Sequence, residues 1–214
     1  FKNNKNIGEI ANPVKGMDTG KNDLFLRLWH EVSFADIGFG FESEQESILS
    51  KKKWFPYNKG GPYQKWYGNQ DYVLNWENGG RDVLRFGRAN IRNRRYYFQS
   101  GITWTDVSSS RFGVRYLPKG FLFDNSGSML FFNGEPLLLL ALLCSCVSLP
   151  IIGMLNPTLH FQVGDIRRIP VTSTSDVESE IVTAAKNNVN ITRMNVDSLE
   201  TSWDFQRHPL LVHK

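Results

Sequence analysis

The sequence has few of the residues that build disulfides and structural metal sites. It contains only two cysteines, Cys144 and Cys146, which are separated by one residue inside an apolar run. That spacing is too close for an ordinary disulfide, and no second pair of ligands completes a zinc site. The pattern therefore argues against a disulfide-stabilised secreted scaffold and indicates buried thiols in a reducing compartment.

Motifs of the common active sites are also missing. The four histidines are dispersed and form no HExxH pair, and there is no GxSxG sequence. The run Lys59-Gly60-Gly61 lacks the upstream glycine and the Ser or Thr of a phosphate-binding loop. Asn156-Pro157 lacks the second proline and the aromatic residue with which amino-methyltransferases hold a target amine. We therefore expect no catalysis, no metal and no cofactor in this chain by itself.

Only one stretch has enough apolar residues to raise the question of a membrane. Residues 137–155 contain no charged side chain, which is close to the minimum for a span. Pro150 and Gly153 interrupt the run, and neither a basic cluster nor an aromatic belt flanks it. The sequence predicts one buried helix over residues 137–148 that Pro150 ends or kinks. No secretory leader is evident, and because the chain opens at Phe1 we expect it to be part of a longer protein.

Acidic residues are scarce in one part of the chain. Residues 51–119 hold fourteen of the twenty-five Lys and Arg, all seven tyrosines and only four acids, so this segment carries a net charge of +10. The remainder carries −6, which leaves the stated total of +4. A basic region of this kind attracts polyanions whatever fold lies beneath it.

The residues interleaved with these charges favour nucleic acid as the polyanion. Aromatic and amide side chains alternate with Lys and Arg in WFPYNKGGPYQKWYGN and in RANIRNRRYYF. Basic groups hold phosphates, whereas Arg, Asn and aromatic rings can recognise or stack on bases. The alternative is a solvated basic surface over a core rich in aromatic residues.

Hydrophobic periodicity predicts the order of the secondary structure. Strand-like alternation runs through residues 28–41, and a short helical turn begins at Asp23 with Asn22 as its cap. The predicted helices are residues 89–98, 137–148 and 177–187, the last capped by Asp176, and residues 42–53 form a helix or a surface loop. The predicted strands are residues 72–76, 102–104, 112–117, 120–123, 128–132, 159–163 and 168–171.

This order favours an α+β domain with a mixed or mostly antiparallel twisted sheet and a few packed helices. We expect three parts. Residues 1–15 form a loose leader, residues 16–171 form the main domain, and residues 172–214 form a helical C-terminal extension. The long loop from Pro56 to Pro62 is rich in turn-forming residues, and loops of that kind in a compact domain are often functional.

Five separated motifs resemble one family of enzymes. This family is the large adenine-specific DNA methyltransferases of bacterial phage-exclusion (BREX-type) defence and of related single-chain restriction–modification systems. The motifs span residues 16 to 211 and follow the order in which that family has them. The motifs are GMDTGKNDLFLRLWHEV (16–32), WFPYNKGGPYQKWYGNQDYVLNWENGGRDV (54–83), YYFQSGITWTDVSSSRFGVRYLPKGFLFD (96–124), LNPTLHFQVGDIRRIPV (155–171) and DSLETSWDFQRHPLL (197–211).

The resemblance implies a position within the parent enzyme. The S-adenosylmethionine-binding catalytic domain comes first in that family, and its glycine-rich and Asn-Pro-Pro-Tyr motifs are missing here. This chain is similar to the target-recognition region that selects the DNA site. The expected partners are double-stranded DNA, the parent's catalytic domain and other defence-system proteins, with no membrane, in the bacterial cytoplasm.

We divide the candidate DNA contacts by chemistry. Phosphate contacts are assigned to Lys51, Lys52, Lys53, Lys59, Lys65, Arg94 and Arg95. Base edges are assigned to Asn58, Asn69, Arg92 and Arg111, because Arg fits guanine and Asn fits adenine. The run Ser108, Ser109, Ser110 is predicted to be a recognition loop together with Arg111. Thr19 and Asn22 are placed against the DNA backbone near the missing domain.

Two other functions remain open. In the first, the aromatic surface docks a partner domain or a phage inhibitor, and the basic segment is incidental. In the second, the chain is part of a nuclease, which needs two clustered acids and a lysine around a metal ion. The sparse acids of residues 51–119 argue against the nuclease.

Overall fold

The computed structural model describes residues 5–108, 111–172 and 176–211. It confirms the α+β class, with two four-stranded sheets and several helices. Every strand pairing within the sheets is antiparallel except one.

The two sheets differ in strand order and in the direction of their strands. The first sheet has the order β1 (Ala11–Val14), β8 (Met129–Phe132), β5 (Gly101–Trp104), β6 (Val114–Leu117). The second has the order β2 (Leu26–Leu28), β4 (Tyr72–Asn75), β3 (Trp54–Asn58), β7 (Leu122–Phe123), and its β3–β7 pair is parallel.

The two faces of the first sheet belong to two different hydrophobic cores. Ile102 and Leu130 face a helical layer, whereas Met129 and Phe131 join the aromatic core shared with the second sheet. Because successive residues of a strand point to opposite faces, a sheet covered on both sides needs apolar residues at nearly every position. All four residues of β5 are accordingly buried.

The helices of the described residues are mostly short. They are α1 (Ile7–Ile10), α2 (Asn22–Phe25), α3 (Glu44–Leu49), α4 (Glu77–Arg85), α5 (Pro136–Cys144), α6 (Ser148–Leu155), α7 (Val163–Arg167) and α8 (Glu178–Asp197). Helix α5 packs between the first sheet and α8. Inside α4, Asn78, Gly79 and Gly80 have left-handed backbone conformations, so the helix is interrupted by a turn at these residues.

The apolar run forms two helices instead of one. It breaks after Cys144, and α6 begins at Ser148 with Pro150 in its first turn, where a missing backbone N–H is tolerated. The two axes are bent by 76°. Among the described residues no single helix has the length and apolarity of a membrane span, and only α5 and α6 together reach them.

Four predicted elements are wrong. Residues 28–41 contain the end of β2 and two 3₁₀ turns, Trp29–Glu31 and Phe34–Asp36, instead of a long strand. Residues 89–98 form no α-helix, because Asn90 exchanges both backbone hydrogen bonds with Asp18 and Asn93 is left-handed. Residues 159–163 and 168–171 form only isolated bridges, and α7 lies between them.

Two segments near the ends of the described chain contain more regular structure than we expected. Residues 7–14 form α1 and β1, with Ile7 fully buried, so a loose leader does not describe them. Helix α8 starts near the predicted residue but continues ten residues further, to Asp197.

Candidate nucleic-acid interface

The loop of residues 59–71 is held in an unusual backbone conformation. Five of its residues have positive φ angles: Gly60, Gly61, Trp66, Gly68 and Asn69. The side-chain Nδ2 of Asn69 donates to the carbonyl of Pro62 (2.8 Å), and the backbone N–H of Trp66 donates to the carbonyl of Val114 on β6 (2.8 Å). Positive φ at a non-glycine residue persists only where surrounding contacts fix it. The loop is therefore a fixed part of the surface.

The carboxyl ends of β3, β5 and β7 meet beside the start of this loop. Thr105 donates its hydroxyl to the carbonyl of Gly61 (2.9 Å), and the N–H of Asp106 donates to the carbonyl of Ser126 (2.9 Å). A Cβ at Gly60 would lie 2.9 Å from that same Ser126 oxygen, so the backbones approach closely only because the residue is glycine. We call this region the strand-end surface: Lys59, Thr105, Asp106, Ser108, Arg111 and Ser126.

Lys15 joins this surface to a second basic region. Its ammonium group lies 3.4 Å from a carboxylate oxygen of Asp106, and its carbonyl accepts from the Asn93 side chain (2.8 Å). Asn93 belongs to what we call the arginine segment, residues 85–95, which contains Arg85, Arg88, Arg92, Arg94 and Arg95.

The arginine segment lies against the turn of residues 18–22. Asp18 and Asn90 exchange backbone hydrogen bonds of 3.0 and 2.7 Å, and a Cβ at Gly20 would meet the backbone of Arg88 at 2.7 Å. Within the described part of the chain, Arg88 and Arg92 have no acidic partner and are exposed. Apart from Arg94, which pairs with Glu44, the segment therefore presents cations that no described acid neutralises.

Several predicted contact residues have exposed side chains in these two regions. Arg111 lies on the strand-end surface and Asn22 on the 18–22 turn. Lys59 is half-buried, with its ammonium group 5.4 Å from the centre of the Tyr72 ring. Arg95 lies over the ring of Tyr96 at 4.8 Å. The predicted residues that the structure brings to these regions with an accessible side chain are Asn22, Lys59, Arg92, Arg95, Ser108 and Arg111. Ser109 and Ser110 lie outside the described residues.

Asn58 cannot contact a base edge in this conformation, which corrects our assignment. It is 1% exposed, and its Nδ2 donates to the Thr103 hydroxyl (2.7 Å) and to the carbonyl of Gly127 (2.9 Å). Thr19 is also fully buried, and its hydroxyl donates to Asn22 Oδ1 (2.7 Å). Both side chains serve the fold.

Three further predicted contacts are engaged by neighbouring groups of the protein. Lys65 donates to the carbonyl of Cys144 at the C-terminus of α5 (2.7 Å), a position that favours a cation. Arg94 forms an ion pair with Glu44 (2.7 Å), and that hydrogen-bonded carboxylate raises the pKa of its guanidinium. Asn69 holds the loop, as described above. Their first role is structural.

The basic residues do not all share one face. Lys51, Lys52 and Lys53 precede β3, whereas Lys59 follows it, and the six residue steps from Lys53 to Lys59 along the extended strand span about 20 Å. Lys52 donates to the carbonyl of Ala35, and Lys53 lies 5.5 Å from the centre of the Trp54 ring. The basic residues are therefore divided between the two ends of β3, with residues 51–53 at the end opposite Lys59.

Sequence reasoning missed Arg115, a fully buried cation behind the strand-end surface. Its Nη2 lies 3.4 Å from the Thr105 hydroxyl, and its Nε and Nη1 have no hydrogen-bond partner. Burial lowers the pKa of this guanidinium to about 10. One indication of this burial was present in the sequence. Val114 and Tyr116 face the helical layer, and because side chains alternate along a strand, Arg115 between them faces the second sheet.

Tyr57 and Asp124 tie β3 to β7 beneath the same surface. The Tyr57 hydroxyl donates to the Asp124 carboxylate (2.7 Å), and both side chains are buried. Burial and the adjacent carboxylate raise the pKa of Tyr57 well above its usual value. Among the described residues there is no group of three or more His, Cys, Asp or Glu that could hold a metal ion.

Comparison with known proteins finds two similar enzymes, and no family model matches the chain. An adenine-specific methyltransferase, BrxX, from Escherichia coli O9:H4 (strain HS) is 41% identical over 209 residues. The alignment covers 94% of this chain and 16% of that protein. The adenine-specific methyltransferase PglX from Lacticaseibacillus casei (strain Zhang) is 38% identical over 216 residues, covering 97% of this chain and 18% of that protein.

The chain is similar to one segment of these two adenine-specific methyltransferases. It spans less than a fifth of the length of each of these relatives. The matched segment is nearly the whole of this chain, so the fold described above corresponds to a continuous region of those longer proteins.

Proposed function

We propose that this chain is the DNA target-recognition region of an adenine-specific DNA methyltransferase in bacterial restriction–modification or phage-exclusion defence. In the parent protein, S-adenosylmethionine is bound by a catalytic domain outside this chain, and the chain selects the DNA site. The similarity to BrxX and PglX supports the enzyme class. One observation supports the DNA role: exposed cations without acidic partners lie on two regions that Lys15 connects.

The arrangement suits duplex DNA in three respects. Arg88, Arg92 and Arg95 are exposed within one short segment, where their guanidinium groups can contact phosphates, and Arg92 can also reach a base edge. Arg111 projects from a loop at the strand ends, where a guanidinium can contact the O6 and N7 of guanine. The backbone under both regions is fixed by the 59–71 loop and by the Asp18–Asn90 pair, so little ordering is needed on binding.

Methylation of adenine requires the base to leave the stack, which costs a few kcal/mol. A region that grips the phosphates on the other side of the duplex from the catalytic domain would supply part of that energy. This assigns the chain a role in positioning DNA and no part in the chemical step.

The test measures DNA affinity against salt concentration. Fluorescence anisotropy with a labelled 20-base-pair duplex should show affinity falling on the order of 10²- to 10³-fold between 50 and 200 mM salt, as expected for about five phosphate contacts. The double variant Arg92→Glu and Arg95→Glu should lose most of this affinity. Lys186→Glu, an equally exposed charge reversal on α8, should behave as the wild type. Affinity that does not change with salt would refute the proposal.

A second candidate function is docking of another protein part. Met154 on α6 and Met194 on α8 are 78% and 74% exposed, and apolar side chains of this kind suit a protein contact. Under this alternative the 214-residue chain has no measurable DNA affinity, and the arginine reversals change nothing.

A further inference from the structure

Two exposed aliphatic side chains lie beside the loop that carries Arg111. Val107 is 52% exposed and Leu159 is 57% exposed. Val107 pairs with His160 in an isolated antiparallel bridge, and the backbone N–H of Ser108 donates to the carbonyl of Leu159 (3.1 Å). The turn that presents Leu159 is therefore joined to the edge of the strand-end surface.

A buried aromatic pair holds the two loops side by side. Phe112 follows Arg111, Phe161 lies two positions after Leu159, and the centres of the two phenylalanine rings are 4.9 Å apart. Trp104, at the end of β5, donates its indole N–H to the carbonyl of Phe161 (2.7 Å). Because both loops leave the core at this pair, Arg111 and Leu159 reach the surface at neighbouring points.

Hydrogen bonds within the turn of residues 156–160 fix the position of Leu159. The Nδ2 of Asn156 donates to a carboxylate oxygen of Asp165 (2.8 Å), and its Oδ1 accepts from the N–H of Thr158 (3.1 Å). The Thr158 hydroxyl in turn accepts from the N–H of His160 (3.2 Å). A side chain on a turn held in this way loses little conformational freedom when it binds a partner.

The charges around these side chains suit a polyanion. No described acid lies within ion-pair distance of Lys59 or Arg111. Two nearby carboxylates are engaged, since Asp106 belongs to the ion pair described above and Asp165 is hydrogen-bonded to the turn. The free cations beside the two aliphatic residues therefore attract phosphate.

The apolar part of this surface is too small for a stable protein contact. Val107 and Leu159 have polar neighbours in the chain, namely Ser108, Thr158 and His160. A standard protein–protein interface buries about 800 Å² on each partner, which two aliphatic side chains do not approach. A single apolar side chain is, by contrast, enough to contact the methyl group that thymine presents in the major groove.

We propose that Val107 and Leu159 contact the C5-methyl group of thymine beside the guanine that Arg111 recognises. The O6 and N7 atoms of guanine and the methyl group of thymine all lie in the major groove, so neighbouring side chains can reach them together. This role rests on the proposed function, and it adds thymine to the bases that the same surface distinguishes.

The first experiment finds the preferred site and removes its methyl groups. Duplexes of 20 base pairs with a random centre are mixed with the 214-residue chain, and the bound duplexes are sequenced. We expect thymine at one or two fixed positions next to a guanine. Each thymine is then replaced singly by deoxyuridine, which removes the methyl group and leaves base pairing unchanged. Fluorescence anisotropy should show an affinity about fourfold lower at those positions, as expected for one buried methyl group.

The second experiment identifies the side chains responsible. Leu159→Asn and Val107→Ser should each bind the thymine and deoxyuridine duplexes equally well at the position that the residue contacts. Leu159→Met, which remains apolar, should retain the fourfold difference. Leu199→Asn is the matched control, because Leu199 is 54% exposed and follows α8, and it should discriminate as the wild type does. Thermal unfolding confirms that each variant is folded.

Three results would overturn the inference. One is a wild-type chain that binds duplexes with no preferred sequence, or that loses no affinity on any deoxyuridine replacement. Another is an undiminished fourfold difference in folded Leu159→Asn and Val107→Ser. The third is an equal loss of affinity for both duplexes in these variants, which would indicate an apolar wedge between base pairs. In each case the salt-dependent DNA affinity can still be observed, whereas a chain that binds no duplex refutes the proposed function as well.

Discussion

Replacing Arg115 by methionine should stabilise the protein. The guanidinium is fully buried and lies 3.4 Å from the Thr105 hydroxyl, and its other two nitrogens have no partner among the residues that the structure describes. Removing a buried charge of this kind in favour of an apolar side chain of similar volume is often stabilising by about 1–4 kcal/mol. We expect Arg115→Met to raise the melting temperature by about 4–8 °C, which corresponds to about 2 kcal/mol for a chain of this size.

The lowered pKa of Arg115 gives the size of the destabilisation and predicts how stability changes with pH. Burial lowers the pKa of Arg115 to about 10, and each pKa unit corresponds to about 1.4 kcal/mol. The charged form is therefore disfavoured in the folded state by about 3 kcal/mol at neutral pH. Above pH 10 the folded protein releases this proton before the unfolded chain does, so the unfolded chain binds more protons and the penalty falls as pH rises.

The assay is urea unfolding followed by circular dichroism between pH 8 and pH 11. The stability difference between Arg115→Met and the wild type should be largest near pH 8 and should shrink above pH 10. Arg111→Met is the control, because that arginine is exposed and should change stability by less than about 0.5 kcal/mol. A destabilised Arg115→Met variant would show that the guanidinium has strong partners in the folded state, and the reasoning would be wrong.

Two other substitutions test the structural roles assigned to predicted contact residues. Asn58→Ala removes the donors to Thr103 and Gly127, so we expect a loss of about 2–4 kcal/mol in the free energy of unfolding; an unchanged urea midpoint would mean that Asn58 is not part of the core. Lys65→Met removes the cation at the C-terminus of α5 and should destabilise by about 1 kcal/mol with no change in the salt dependence of DNA affinity. A shallower salt dependence would instead make Lys65 a phosphate contact.

Local patterns were sufficient where the chain forms short buried strands. The prediction of residues 72–76 and 128–132 matches β4 and β8 to within one residue, because dense apolar residues between turn-forming residues leave few alternatives. Residues 89–98 failed for a different reason. Asn90 forms its backbone hydrogen bonds with Asp18, which is more than seventy residues away, and no local pattern contains that partner.

The sequence was enough to predict which types of residue form the candidate site, but not how their side chains are arranged in space. The basic segment was correctly found to hold Lys59, Arg92 and Arg111, which are accessible. The sequence could not show that Asn58 turns inward toward Thr103, because its neighbours in β3 include both buried and half-buried residues. Nor could it show the positive φ angles that fix the following loop, since Trp66 is not a residue that favours them.

Net charge counted along the chain overstates the charge available to DNA. Of the fourteen cations in residues 51–119, three form ion pairs with acids, Arg115 is buried, and Lys65 binds a carbonyl. Three more lie at residues 51–53, at the far end of β3. Six remain on the two connected regions: Lys59, Arg85, Arg88, Arg92, Arg95 and Arg111.

These six cations limit the salt dependence that the chain can show. Each phosphate contact contributes about 0.9 to the slope of log affinity against log salt, so the two connected regions allow a slope of at most about 5. A steeper slope would require Lys51, Lys52 and Lys53 to contact the same duplex. Because about 20 Å of strand separates them from Lys59, that result would mean DNA running along β3 from end to end, and not across the strand-end surface alone.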